Sequence, residues 1–397
     1  MNLGVVGCGH VADSYGCTLA NYSNLRLSGA FDTNVANAAT FCRRWPARQY
    51  ASLEDLLQDP SVEIVLNLTN PRSHYDVTKR CLDAGKHVYS EKPLAMDSGA
   101  ARELAALAAT KKVYLGAAPC SVLGETAQTI WKAINDGVIG RVRLIYANFD
   151  DGMIAPAAQP WRWLNDAGVA WPAKDEFEVG CTFEHAGYLL TWLAAFFGQA
   201  MRVTAFSSCQ LPDKGIEVDV MAPDFSVGCI EYPEGIVARL TCGLVAPRDK
   251  SLTIIGDDGV IFTNNVRNDA SPVYVKRIPG SRLHIAVERR INPIRMWLEN
   301  ALGTIPWSGR EWQLQRQLPL TRKPSRQLAS RIKPVDFCRG PAEMAEAIEQ
   351  GRPCRLSADL AVHIMEVLET LQYPERFRRP REIEAAFRPI CPLPWMR

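Results

Sequence analysis

Residues Leu3-Gly4-Val5-Val6-Gly7-Cys8-Gly9-His10-Val11-Ala12 decide how this chain is read. A short apolar run gives way to two glycines one residue apart, then to a small residue three places on. The run predicts a buried strand, and Gly7 permits the tight turn out of it. Gly9 lets backbone approach a pyrophosphate, His10 and Val11 complete the cofactor-binding turn, and Ala12 packs the next helix against the sheet. Phosphates then rest on the helix N-terminus, where free N–H groups and the dipole favour anions. Asp32 follows the second strand, about where a carboxylate binds a ribose 2′-hydroxyl. Asp32-Thr33-Asn34 also suits a helix cap, which is the competing reading. An acid here repels a 2′-phosphate and so favours NAD over NADP. Arg43 and Arg44, further down the next helix, weaken that preference only slightly.

Outward from this turn, candidate strands Leu3–Val6, Leu25–Phe31, Glu63–Leu68, His87–Ser90 and Val113–Leu115 alternate with helical patterns near 10–21, 34–45, 52–58, 73–84 and 98–110. That alternation predicts an α/β Rossmann domain with a doubly wound parallel sheet over residues 1–123. The grammar then changes. A helix near 125–136 precedes strands at Arg141–Phe149, Met201–Ser207, Phe225–Tyr232, Ile236–Cys242, Ser251–Ile255, Val260–Thr263 and Val273–Arg277. Pro233-Glu234-Gly235 and Gly256–Gly259 read as hairpin turns. Residues 124–397 therefore predict an α+β domain for substrate binding and oligomerisation, with an open, mainly antiparallel sheet. A strongly apolar helix near 182–197 interrupts it, and helices near 340–350 and 357–372 close the chain, the latter capped by Ser357.

A chain of 397 residues exceeds one ordinary core, which agrees with two domains. A net charge of +2 argues against a dedicated nucleic-acid or membrane-surface protein. The average hides a basic segment, 276–333, dense in Lys and Arg, whose acids are Glu288, Glu299 and Glu311. It holds a helix-like stretch near 288–302 and a Trp/Arg/Gln-rich run from Trp307 to Arg316, and it reads as an insertion. A solvated excursion, a subunit interface, a phosphate-reading cap and an arm near a membrane are its competing uses. The twelve cysteines are scattered without a CxxC pair, and several sit in apolar runs as small hydrophobes. With no leader and no membrane-spanning run, the expectation is a cytoplasmic protein with reduced thiols. No metal-ligating pattern is present: the six histidines stand apart.

Glu91-Lys92-Pro93 supplies the chemistry. It puts a lysine at the end of a later strand of the first sheet, where a substrate meets the cofactor's reactive ring. With the opening turn, Asn70-Pro71-x-x-His74, and Lys86-His87-Val88-Tyr89-Ser90-Glu91-Lys92-Pro93, the chain resembles the glucose-fructose oxidoreductase / inositol dehydrogenase / rhizopine-catabolism (Gfo/Idh/MocA) family. The resemblance implies that Lys92 is catalytic. It also implies that Thr69, Asn70, Pro71, His74, Glu91 and Lys92 border the nicotinamide half of the cofactor. His74 is read equally as a capping residue. Implied substrates are sugars, cyclitols and nucleotide sugars. Hydride leaves a carbinol carbon as its hydroxyl proton departs, so a base within hydrogen-bond reach is required. Desolvation and the positive nicotinamide are expected to lower the lysine's pKa.

The family's second signature, Asp-x-Gly-x-His, is altered here to Cys181-Thr-Phe-Glu184-His185-Ala186-Gly187-Tyr188. Aligning from Phe197-Gly198 puts Glu184 on the aspartate and Tyr188 on the histidine; aligning from Trp192 puts His185 on the histidine. The first is preferred. Glu184, His185 and Tyr188 are thus candidate catalytic residues beside Lys92, with a buried structural ion pair as the alternative. Trp161, Arg162 and Trp163 are candidate substrate contacts, since aromatic and charged groups suit carbohydrate. The open sheet face implies a homo-oligomer. Two rival functions stand beside an oxidoreductase: an NAD-binding sensor or partner without catalysis, and a redox-neutral NAD-dependent enzyme.

Overall fold

The computed structural model describes residues 1–154, 158–277, 315–324 and 334–396, with isolated positions 290, 293 and 297. The basic segment over 276–333, with its helix-like stretch and Trp-rich run, lies largely outside the described residues.

The first sheet is built from β1 (Asn2–Val6), β2 (Arg26–Phe31), β3 (Arg48–Gln49), β4 (Ile64–Asn67), β5 (His87–Ser90) and β6 (Leu115–Ala117). Between them run α1 (Ala12–Leu19), α2 (Val35–Arg44), α3 (Leu53–Gln58), α4 (His74–Asp83) and α5 (Ser98–Lys111). Strand order is β3-β2-β1-β4-β5-β6, and the paired strands are parallel. Strands β1 and β4 are near-continuous apolar runs because both faces are covered. The chain leaves β1 in one direction and returns on its other side at β4, which makes the switch point where such sheets bind ligands. Strand β6 starts two residues beyond its expected place: Lys112 caps α5 in the left-handed region (φ 57°), and Val113 and Tyr114 become connector. The two exposed residues of β3 carry no apolar alternation to betray them.

The second sheet follows α6 (Glu125–Asn135). It holds β7 (Val142–Asp150), then, after α7 (Ala173–Val179) and α8 (Cys181–Phe197), β8 (Arg202–Ser208), β9 (Phe225–Tyr232), β10 (Ile236–Gly243), β11 (Leu252–Gly256), β12 (Gly259–Thr263), β13 (Val273–Arg277) and β14 (Arg316–Leu318). Helices α9 (Arg339–Glu349) and α10 (Ala358–Gln372) precede the last strand, β15 (Arg381–Glu382). Among the described residues nine strands lie in the order β14-β13-β12-β11-β7-β10-β9-β8-β15. Antiparallel pairing dominates, with β7 and β10 as a parallel pair. A parallel pair needs a crossover, and the segment carrying α8 provides it. Being apolar nearly all round, α8 is buried, packed on β7, β9, β10 and α10.

The C-terminal helices tie the sheets together. Helix α10 packs on α5 of the first sheet and on α8 and β8 of the second, and Ser357 bridges to Gly116 of β6. Ser357 caps α10 as expected, accepting from Leu360 N–H at 3.3 Å.

Candidate active site

Two adjoining clefts open at the carboxyl ends of the first sheet's strands, about 310 and 340 Å³ in volume. Gly9, Asn37, Leu68, Thr69 and Asn70 line both, so they form one groove. Gly7 holds φ +93°, and a Cβ there would fall 2.7 Å from the Leu68 carbonyl, so only glycine fits. A Cβ on Gly9 would meet nothing within 4 Å, which leaves bare backbone facing the groove. Asp32 is pinned: its carboxylate accepts the Cys8 N–H at 2.6 Å and the Asn34 N–H at 2.7 Å. The cap of α2 is Asn34, whose side chain accepts from Ala36 and Asn37. Asp32 therefore orders the turn and lines the cleft. A bare glycine edge, the start of α1 and a fixed carboxylate fit a dinucleotide. Arg44 is engaged with Asp13 and Arg43 with Thr40.

The Asn70-Pro71 turn and the Glu91-Lys92-Pro93 turn meet at His74. This buried imidazole lies 2.6 Å from the Pro93 carbonyl through Nδ1 and 2.8 Å from the Thr69 carbonyl through Nε2. Burial depresses its pKa despite those two carbonyls. His74 lines the cleft and braces both turns, and it makes no side-chain cap. Glu91 accepts from Tyr15 Oη at 2.7 Å and from the Lys92 N–H at 3.0 Å, which fixes the peptide that carries the lysine.

Lys92 Nζ forms an ion pair with Glu184 of α8. Here the structure departs from the expected pKa. Burial works against the charged amine, but the carboxylate of Glu184 outweighs it and holds Lys92 well above its ordinary value. Glu184 and Tyr188, one turn apart, both line the cleft with Lys92. His185 turns away. It stacks on Phe149 with centroids 4.8 Å apart and approaches Asp151 through Nε2 at 3.4 Å. Burial pushes its pKa down to about 3, so it is a neutral imidazole. Tyr188 also stacks on Phe149, with centroids 5.3 Å apart, and burial raises its phenol pKa.

The loop after β7 crosses this groove. Asn165 Nδ2 donates to the His10 carbonyl at 3.0 Å, and Asn70 Nδ2 donates to Asp175 at 2.7 Å. Its contribution to the cleft wall is Val169 to Pro172 with Asp175 and Glu176, not Trp161, Arg162 or Trp163. Trp163 instead packs on Trp171 at 5.3 Å and donates to the Ala158 carbonyl. Glu176 and Arg267 escape sequence reasoning. Glu176 sits in a short acidic helix that reads as solvated, and Arg267 in a turn with no motif around it. Glu176 Oε2 is buried without a hydrogen-bond partner among the described residues. Burial, and then the neighbouring Glu184, push its pKa up to about 8.

The NAD-binding Rossmann-fold model of the Gfo/Idh/MocA oxidoreductase family matches residues 1–118, and the family's C-terminal domain model matches 127–262. Trans-1,2-dihydrobenzene-1,2-diol dehydrogenase of Mus musculus is 24% identical over 261 residues, which is 65% of this chain and 72% of the mouse protein. Two solved structures share the fold. The WlbA dehydrogenase of Bordetella pertussis, in complex with NADH and UDP-GlcNAcA, superposes with a TM-score of 0.66 at 16% identity, covering 97% of this chain and 98% of its own. KijD10, a 3-ketoreductase of Actinomadura kijaniata in complex with TDP-benzene and NADP, gives 0.67 at 17%, covering 94% and 96%. With both halves matched and both sheets in place, this chain belongs to the Gfo/Idh/MocA family of NAD(P)-binding oxidoreductases.

Proposed function

We propose that the protein moves a hydride between nicotinamide and a CH–OH carbon of a sugar, cyclitol or nucleotide sugar, with Lys92 as the acid/base. One observation carries this reading: Lys92, ion-paired to Glu184 and beside Tyr188, stands in a cleft continuous with the glycine turn and Asp32. Bound nicotinamide supplies or accepts the hydride. In the reducing direction the Lys92 ammonium donates a proton to the nascent alkoxide. In the oxidising direction Lys92 must first release its own proton, against the pull of Glu184, before the free amine takes the substrate hydroxyl proton. Tyr188 hydrogen-bonds the reacting oxygen and holds it against Lys92 Nζ. The first sheet holds the cofactor, and the second, with its loops, closes on the substrate.

NAD is preferred over NADP in this reading. The Asp32 carboxylate lines the cleft beside the glycine turn, where it would repel a 2′-phosphate, and Arg80, which also lines it, is paired with Glu54. The relatives with NADH and with NADP show that both cofactors occur on this fold. Leu144, Tyr146 and Phe206 are exposed on the second sheet, and we infer that a second copy covers that face, which sedimentation checks. Among the described residues no helix is long and apolar enough to cross a membrane. The cytoplasm, where thiols stay reduced, suits the twelve unbridged cysteines.

The test mixes protein and NAD or NADP with free sugars, cyclitols, sugar phosphates and nucleotide sugars, following nicotinamide absorbance. Turnover should fall by about a hundredfold or more in Lys92→Met, and NADH should bind more tightly than NADPH. Silence across the panel with NADH bound would favour a sensor or a redox-neutral enzyme.

A further inference from the structure

Behind the Lys92 cleft lies a cluster rich in cations. Asp151 is its carboxylate, and four basic residues converge on it. Lys250 Nζ lies 2.5 Å from Oδ1, His185 Nε2 3.4 Å from Oδ2, and Arg267 and Arg248 each 3.9 Å away. His185 is neutral, so three positive charges meet one negative. Burial, and then the nearby Arg267, lower the Lys250 pKa to about 8, as a surplus of positive charge requires. Lys250 and Phe149, and likewise Arg267 and Tyr188, are cation–ring pairs at 4.8 and 5.4 Å.

Arg267 is the member of this cluster that reaches the substrate cleft, where it lines the same wall as Tyr188 and Lys92. The turn between β12 and β13 sets it there, with its N–H donated to Asn265 Oδ1 at 3.0 Å. Its guanidinium makes no hydrogen bond among the described residues, and Asp151, already in contact with Lys250, is the carboxylate within 4 Å of it. The other acids of the cleft are committed. Glu184 pairs with Lys92, Glu91 accepts from Tyr15 and the Lys92 N–H, Asp175 accepts from Asn70, and Glu176 is kept protonated. A planar fork of donors over an aromatic ring, with no anion fully in its grasp, matches a carboxylate or a phosphate oxygen pair.

We propose that Arg267 reads an oxyanion on the substrate, so that the molecule oxidised or reduced at Lys92 carries a carboxylate or phosphate group close to its reacting carbon. The proposal rests on the hydride-transfer reading for the position of the reacting carbon, but its test reads binding alone. NADH-saturated protein is titrated calorimetrically with glucuronate, glucose 6-phosphate and glucose at low ionic strength, where surface screening is weakest. At least one anionic sugar should bind about tenfold or more tightly than glucose. Preference for glucuronate alone assigns a carboxylate, and for glucose 6-phosphate alone a phosphate. Arg267→Met should reduce that affinity to the level of glucose. Arg267→Lys, which keeps charge without the fork, should fall between. NADH affinity of each variant reports that it is folded, and Arg267→Lys carries the comparison where Arg267→Met fails that check. Equal affinity for glucose and both anions, absence of binding by either anion, or an unchanged preference in the variants overturns the proposal. Failure of the hydride-transfer reading shows separately, as no turnover on any sugar with these affinities intact.

Discussion

Glu176 stands far from its behaviour in water. Burial, and then the charge of Glu184, lift its pKa to about 8, so the folded protein holds a proton there that the unfolded chain releases in the ordinary glutamate range. The resulting stability is fully present below that range and is lost as pH climbs toward 8. Wild type should therefore lose thermal stability relative to Glu176→Gln as pH is raised from about 5 to about 8. Melting curves that stay parallel across that window would sink the assignment. Tyr188 and His185 separate by direction: the first lines the cleft, while the second stacks on Phe149 and meets Asp151. Tyr188→Phe should cost about tenfold or more in turnover with NADH affinity unchanged. An active Phe variant beside an inactive His185→Ala would reverse their roles. The sequence brought these candidates within one helical turn. Only the tertiary structure shows that Tyr188 lines the cleft with Lys92 while His185 meets Asp151.

At the scale of elements, α8 shows both what patterning reads and what it misses. Its apolar surface announced a buried helix, and it runs from Cys181 to Phe197. Short elements were silent: β14 and β15 have three and two residues at sheet edges, and α7 carries acids at three of its seven positions. Elements this short are made by what they pair with rather than by their own periodicity. Helix α10 was fully legible, since Ser357 caps it and Leu360, Val367, Leu368 and Leu371 are buried along it. Ser357→Ala should cost about 1 kcal/mol, read as a lowered denaturant midpoint with unchanged slope. His363 of the same helix packs, with Nδ1 2.6 Å from the Ala385 carbonyl and Nε2 accepting from Ala200 N–H at 3.2 Å.

Across the whole molecule, one buried arginine joins parts far apart in the chain. Arg339, at the start of α9, donates to Glu125 of α6 at 2.9 Å and to the Leu123 carbonyl at 3.0 Å, and lies 3.8 Å from Asp269. Asp336 beside it accepts from Asn21 and Tyr22, which follow α1. The network thus pins the C-terminal segment to both sheets. Removing the cation leaves buried carboxylates uncompensated, so Arg339→Met should destabilise the protein by about 3–5 kcal/mol in equilibrium denaturation. A loss under about 1 kcal/mol would mean that water or a proton replaces the arginine there.

What the sequence by itself determined is local. The glycine turn, the acid after the second strand, the Asn70-Pro71 and Glu91-Lys92-Pro93 turns and the alternation of the five candidate strands with helices are short-range patterns. A parallel sheet with a switch point follows from them because few topologies satisfy such a pattern. What tertiary structure decided is long-range. Glu184, 92 residues from Lys92, becomes its partner and reverses the direction in which the lysine's pKa moves. Arg267, in a turn of the second sheet, arrives at the wall of the Lys92 cleft, and Glu176 becomes a carboxyl that keeps its proton. Pairing and desolvation depend on which distant surfaces are pressed together and cleared of water, and no spacing along the chain encodes that.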